Sequence, residues 1–224
     1  MMRGRIVAIA TLSCALLVSA ARAADEKSIE KFRDAMIKLR PDVDPAEASA
    51  VSTISHHTSR QLAKEYRTVG PAVFQNFLVN IGARQRGYCA HYARDIGTKL
   101  KELRLKTLYL HWGAADAGTH LEHNVIVVTA INQPFREGYI IDGWRNAGRL
   151  CWWPVLKDSS YVWKEDFQET AWLHDYELVQ AKAMPKPKVS VEPRAPAESK
   201  AAAREKSSAP HKTDKATASL EVRG

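Results

Sequence analysis

The sequence predicts an α+β protein with a helical first part and an antiparallel sheet after it. Apolar residues recur at steps of three and four as far as Leu103, and strand-like runs follow from Leu105. Helices gathered before strands mark α+β rather than alternating α/β. A third observation is a change of composition: residues 183–224 hold five of the ten prolines, with no aromatics and few large aliphatics. Such a segment buries too little apolar surface to order itself and reads as a disordered basic tail.

The elements follow in order. Over residues 26–40, Ile29, Phe32, Met36 and Leu39 share one helical face, and Pro41 stops the helix. Asp44-Pro45 is a start signal, a capping acid followed by proline at the first helical position; the helix it opens runs to about Tyr66. Gly70-Pro71 restarts the chain, and Val73, Phe74, Phe77, Leu78 and Ile81 give a third helical face. A fourth helix over 87–104 gathers Cys89, Tyr92, Ala93, Ile96, Leu100 and Leu103 on one side. Strand-like runs then occupy Leu105–Trp112, Leu121–Ile131 and Gly138–Trp144, with a further extended segment around Leu150–Leu156. In the second run Val125, Val127 and Thr129 alternate with Asn124, Ile126 and Val128.

Charge narrows the function classes. The chain of 224 residues carries a net +8, but residues 1–23 hold three basic residues and no acid, and residues 181–224 hold ten basic and five acidic. The segment between them is formally neutral, which argues against a specific nucleic-acid partner, since that needs a basic face on a folded module. The tail has the charge to touch an anionic envelope surface. No apolar run reaches the ~20 residues of a standard membrane-spanning helix.

Residues 1–23 read as a secretory signal peptide. Arg3 and Arg5 form its basic start, Ile6 to Ala20 its apolar stretch, and Ala21-Arg22-Ala23 a small-x-small cleavage site. An uncleaved anchor helix is the competing reading. Cleavage before Cys14 is disfavoured, because Thr11-Leu12-Ser13 lacks the large aliphatic residue expected three before the cysteine. The expected location is the bacterial periplasm or the exterior, an oxidising compartment. The organisation is then a signal peptide (1–23), one domain (24–182, helical over 24–80 with a core at about 80–165) and a tail (183–224).

Three stretches carry the chemistry: Gly87-Tyr88-Cys89-Ala90-His91-Tyr92-Ala93, Glu122-His123-Asn124-Val125 and Tyr139-Ile140-Ile141-Asp142-Gly143-Trp144. Cys89 falls in the first turn of its helix, where unpaired N–H groups and the positive dipole end favour a thiolate. His123 and Asp142 sit on consecutive strands. Pairing them directly, across a loop centred between Asn132 and Gln133, also pairs Val125 with Ile140 and puts the two Cβ atoms ~5 Å apart. A slip of two residues keeps them diagonal neighbours, whereas a slip of one turns them to opposite faces. Cysteine, histidine and aspartate so placed are a nucleophile, a base and its orienter. The oxyanion would meet the Cys89 N–H and a second donor, with Arg84, Gln85 and Tyr88 nearby in sequence. Asn124, Trp144 and Arg145 are further candidates to border the cleft.

A Gly-x-Cys-x-x-Tyr-Ala helix start, then a histidine strand, then an aspartate strand, resembles the core of the transglutaminase-like superfamily, a permuted relative of the papain fold. The resemblance covers about residues 80–165. It implies a papain-like core and no cofactor, with Cys89 as nucleophile, His123 as base and Asp142 as third member. The activity implied is that of a thiol peptidase, amidase or acyltransferase on a peptide or protein substrate, cell-envelope material included. Val125 stands where the family often has an aromatic two residues after the histidine, and Asp142-Gly143-Trp144-Arg145 replaces its common Asp-Pro.

Other readings compete. Export leaves two cysteines, and a Cys89–Cys151 disulfide would turn the same fold into a non-catalytic envelope-binding domain. His111, His120 and His123 suggest zinc, but a spacing of three on a strand sends side chains to opposite faces, so no metal is expected. His91, two positions past Cys89 on a helix, points elsewhere, and His56 and His57 read as polar-face residues. The tryptophans at 112, 144, 152, 153, 163 and 172 serve the core or line a cleft.

Overall fold

A computed structural model describes residues 23–175. The predicted signal peptide, Ala23 apart, and the predicted tail lie outside the described residues. Within them the chain is α+β, with five helices and a five-stranded antiparallel sheet. None of these helices is long and apolar enough to cross a membrane.

Helix α1 spans residues 23–37 and buries Phe32 and Met36, the face its periodicity predicts. Helix α2 (Pro45–Glu65) starts where Asp44 accepts the Ala46 N–H at 2.8 Å, with Pro45 at its first position. Helix α3 is Ala72–Asn80 and α4 is Cys89–Lys101. Strands β1 (Leu108–Ala115), β2 (His123–Ala130), β3 (Tyr139–Asp142), β4 (Cys151–Pro154) and β5 (Lys164–Glu165) form a sheet in the order β4-β3-β2-β1-β5. Helix α5 (Phe167–Leu173) closes the domain.

Both faces of the sheet are covered, which is why β2 is apolar at every second position on either side. Ile126, Val128 and Ala130 pack with Tyr92, Ile96 and Leu100 of α4 and with Phe32 and Met36 of α1. Val125 and Val127 face a smaller cluster with Ile140 of β3 and with Phe135, Val155 and Trp163 from the segments between strands. Helix α4 buries Cys89, Tyr92, Ala93, Ile96 and Leu100, so its predicted face is the one that meets the sheet.

Four features differ from expectation. The apolar face of α3 is open: Val73, Phe74, Phe77 and Ile81 are 46–66% exposed, and Ala72 and Gln75 are buried instead. Strand β1 begins three residues late, because the Glu47 carboxylate accepts the N–H groups of Lys106, Thr107 and Leu108 and ties that stretch to α2. The β2–β3 register is slipped by two, pairing Ile126 with Ile141 and Val127 with Ile140. Its cause lies in the loop: Gln133 accepts the Ala130 N–H at 2.9 Å, and a 3-10 turn over Phe135–Glu137 buries Phe135. Finally, β5 and α5 have no sequence counterpart above. Their two and seven residues are too short to show a period.

Candidate active site

Cys89 is the first residue of α4, and three local devices hold it there. Gly87 has φ +134°, and a Cβ on it would lie 2.5 Å from the Gln75 side-chain nitrogen, so only glycine fits. Gln75, fully buried, donates to the Arg86 carbonyl at 3.1 Å and accepts the Val69 N–H at 3.2 Å. His91 Nδ1 accepts the N–H groups of Gly87 and Tyr88 at 3.0 and 3.3 Å, capping the helix. Burial and the nearby Arg86 charge hold His91 below the usual imidazole range, consistent with an acceptor ring. The Cys89 thiol donates to the Glu122 carbonyl at 3.6 Å.

Strand β2 opens with His123, 1% exposed. Its Nε2 bonds Asp142 Oδ2 at 2.8 Å, as diagonal neighbours in the slipped register. Its Nδ1 is buried without a well-formed hydrogen bond. The Cys89 sulfur is nevertheless near enough to act on the ring. Burial pulls the His123 pKa down, but the Asp142 hydrogen bond, Cys89 and both their charges outweigh it and raise the value to about 9.

Asp142 is 2% exposed and accepts four hydrogen bonds. Oδ2 takes His123 Nε2 and, at 3.1 Å, Arg145 Nε; Oδ1 takes the backbone N–H groups of Trp144 at 2.9 Å and Arg145 at 3.1 Å. Burial alone would raise its pKa. The His123 bond and charge and the Arg145 charge and N–H reverse this, holding the carboxylate below its ordinary range.

Three aromatic rings enclose the imidazole: Trp144, Tyr161 and Trp163, with centroids 4.8, 4.7 and 5.3 Å away. Trp144 Nε1 donates to Asn76 of α3 at 3.0 Å, so the helix with the open apolar face holds one wall of the site. A cavity of about 340 Å³ flanks the start of α4, lined in part by Ala90, His91, Trp112, Glu122 and Asn124.

The fold therefore brings Cys89, His123, Asp142, Trp144 and Arg145 together. The Asn124 side chain accepts from Trp112 Nε1 and donates to Glu122, both at 2.8 Å, beside the cysteine but committed. Tyr88 precedes the cysteine and donates its hydroxyl to Asn80. Arg84 turns to the carbonyls of Ala83 and Arg67, and Gln85 is exposed; both line a separate polar cavity of about 640 Å³ that Cys89 does not line.

The Cys89–Cys151 disulfide left open by the cysteine count is not formed; both thiols are free and buried. Cys151 sits opposite Asp142 in the β3–β4 register and receives the Asn146 side-chain amide at 2.8 Å. Among the described residues no three His, Cys, Asp or Glu side chains are grouped to hold a metal ion. His111 bridges Glu165 and Thr129 at 2.7 and 3.0 Å, and His120 is exposed. His56 is 2% exposed, bonded to the Ser52 carbonyl and Ser28, not on a polar face as expected.

Asp158 and Tyr161 have no counterpart in the sequence reading of this site, and Trp163 figures there only among the six tryptophans that serve the core or line a cleft. All three arrive from the loop after β4, where no period or spacing announces them. No family model, curated protein or solved structure matches the chain.

Proposed function

We propose that the protein is a thiol-dependent acyl-transfer enzyme, a cysteine peptidase or amidase with a transglutaminase-like core, exported to the periplasm or beyond. One observation carries this reading. His123 is locked through Nε2 to a buried carboxylate while its other nitrogen, buried and unsatisfied, is left for the cysteine at a helix N-terminus. A ring held only for packing has no need of an unpaired buried nitrogen.

The chemistry follows from the groups. The thiol proton passes to His123 Nδ1 to give a thiolate–imidazolium pair; Sγ then attacks an amide carbonyl carbon, and the carbonyl π pair moves onto oxygen. The Cys89 N–H, at the first helical position, is placed to donate to that oxyanion. Collapse re-forms the carbonyl and breaks the C–N bond, and the amine leaves with the His123 proton. The thioester is then cleaved by water, which regenerates the thiol, or by an amine. Asp142 fixes the ring tautomer and supports the imidazolium. The three rings around His123 exclude water and strengthen the ion pair. The substrate class is a peptide or protein amide, cell-envelope protein or wall peptide included.

An activated acyl donor tests the chemistry without knowledge of the substrate. The full chain, mixed with p-nitrophenyl acetate, is expected to release a burst of p-nitrophenol. An acetyl group should appear on Cys89 by mass spectrometry and be removed by hydroxylamine. Absence of that adduct, or its persistence in His123→Ala at the wild-type rate, would contradict the proposal.

A further inference from the structure

Asp142 shares its guanidinium. Arg145 gives Nε to Asp142 Oδ2 at 3.1 Å and spends Nη2 and Nη1 on Asp158, at 2.7 and 3.3 Å. The Asp158 side chain is only 3% exposed, and a carboxylate that deep is costly unless paired. It also accepts Trp163 Nε1 at 3.1 Å and the Ser160 N–H at 3.1 Å. Arg145 lies 4.9 Å over the Tyr161 ring. One guanidinium thus joins the acid of the pair to the loop that covers its imidazole.

Asp142 Oδ2 has two suitors, His123 Nε2 and Arg145 Nε. A guanidinium free to choose would take the carboxylate with two parallel N–H groups and weaken the histidine's bond. Asp158 occupies the other two nitrogens of Arg145. We infer that Asp158 is a positioning residue: it draws Arg145 off Asp142, keeps Oδ2 committed to His123, and docks the Tyr161–Trp163 cover over the ring. Its catalytic consequence rests on the thiol chemistry proposed above; its effect on the imidazole does not.

The charges around His123 agree. With the ring protonated, His123, Asp142, Arg145 and Asp158 sum to zero. Cys89 faces the ring from α4. Tyr161 faces it from the loop, held neutral because burial raises its pKa. Cys151, on β4 beside Asp142, is a neutral thiol, pushed up to about 11 by burial first and then by Asp142, with Arg145 and Arg149 opposing. Removing the Asp158 charge takes one negative charge away from the imidazolium, and His123 gives up its proton more readily.

The test is an NMR titration of the His123 ring in the full chain. Asp158→Asn is expected to lower its midpoint by about one pH unit. Adding Arg145→Met removes the competitor and should return the midpoint to the wild-type value or above it. That reversal separates positioning from general damage, which would accumulate. An unchanged midpoint in Asp158→Asn, or a double variant as low as the single, overturns the inference. Should Asp158→Asn not fold, the double variant decides alone, since it also removes the Arg145 guanidinium that the single variant leaves without Asp158; a midpoint below wild type then counts against. Iodoacetamide labelling of Cys89 in the same samples reports separately on the thiol chemistry. An inert wild-type Cys89 would sink that chemistry and leave the role of Asp158 to the titration.

Discussion

His123 has two nitrogens in two environments, and its behaviour follows from the difference. Nε2 faces a carboxylate held by three further N–H groups, while Nδ1 is buried without a well-formed hydrogen bond and the Cys89 sulfur acts on the ring. Replacing His123 with alanine should slow acylation of Cys89 by ~10²–10⁴, the usual worth of a positioned base, with little change in the circular dichroism spectrum. The ring also links stability to pH. Its folded pKa lies above the ordinary 6.5, so its contribution is fully present below pH 6.5 and is lost as pH rises through about 9. Urea midpoints measured between those limits should fall with pH in the wild type, and His123→Gln should remove that slope. The residue types of this site were legible in the sequence, because a cysteine at a helix start with a histidine and an aspartate on consecutive strands is chemically distinctive. Asp158 and the two loop aromatics were not. Acids and tryptophans are common, and nothing local shows that these reach the imidazole.

At the scale of elements, the start of α4 carries the most local constraint. Gly87 combines positive φ with contact against Gln75, so Gly87→Ala should destabilise the fold by about 1–3 kcal/mol and slow Cys89 acylation. Gly87→Asn should not rescue it, because the clash is with Cβ. Helix α3 behaves differently. Phe77 is 52% exposed and Phe32 is fully buried. Thermal unfolding should register Phe77→Ala at about 0.5 kcal/mol or less and Phe32→Ala at about 3–5 kcal/mol. Periodicity gave α1 and α4 with their buried faces, because each packs along an apolar stripe. The Asp44-Pro45 signal gave the start of α2 but not its buried face, which includes Ser52, Ser55, His56 and Ser59. Periodicity misjudged α3, which is held by polar anchors: Gln75 into the chain before α4, Asn76 to Trp144 and Asn80 to Tyr88. Hydrophobic pattern cannot report an element fixed by side-chain amides. The β2–β3 slip has the same kind of origin, since Gln133 and the turn at Phe135 set the loop length.

Across the whole molecule, the sheet acts as a platform buried on both faces. The helices cover one side, with α4 delivering the cysteine, and the loops after β2 and β4 cover the other and bring the aromatic cover. The β2–β3 slip of two preserves parity, so the histidine and aspartate stay on one face and the diagonal contact survives. The central claim is that this assembly makes Cys89, and not Cys151, the reactive thiol. Both are buried and free. The most direct test is the rate of iodoacetamide labelling at each cysteine at pH 7, read by peptide mass spectrometry in the wild type and in His123→Ala. The expected result is fast labelling of Cys89, near silence at Cys151, and loss of the difference in the variant. Cys89 reacting no faster than Cys151, or with the same rate once the imidazole is gone, would contradict the account.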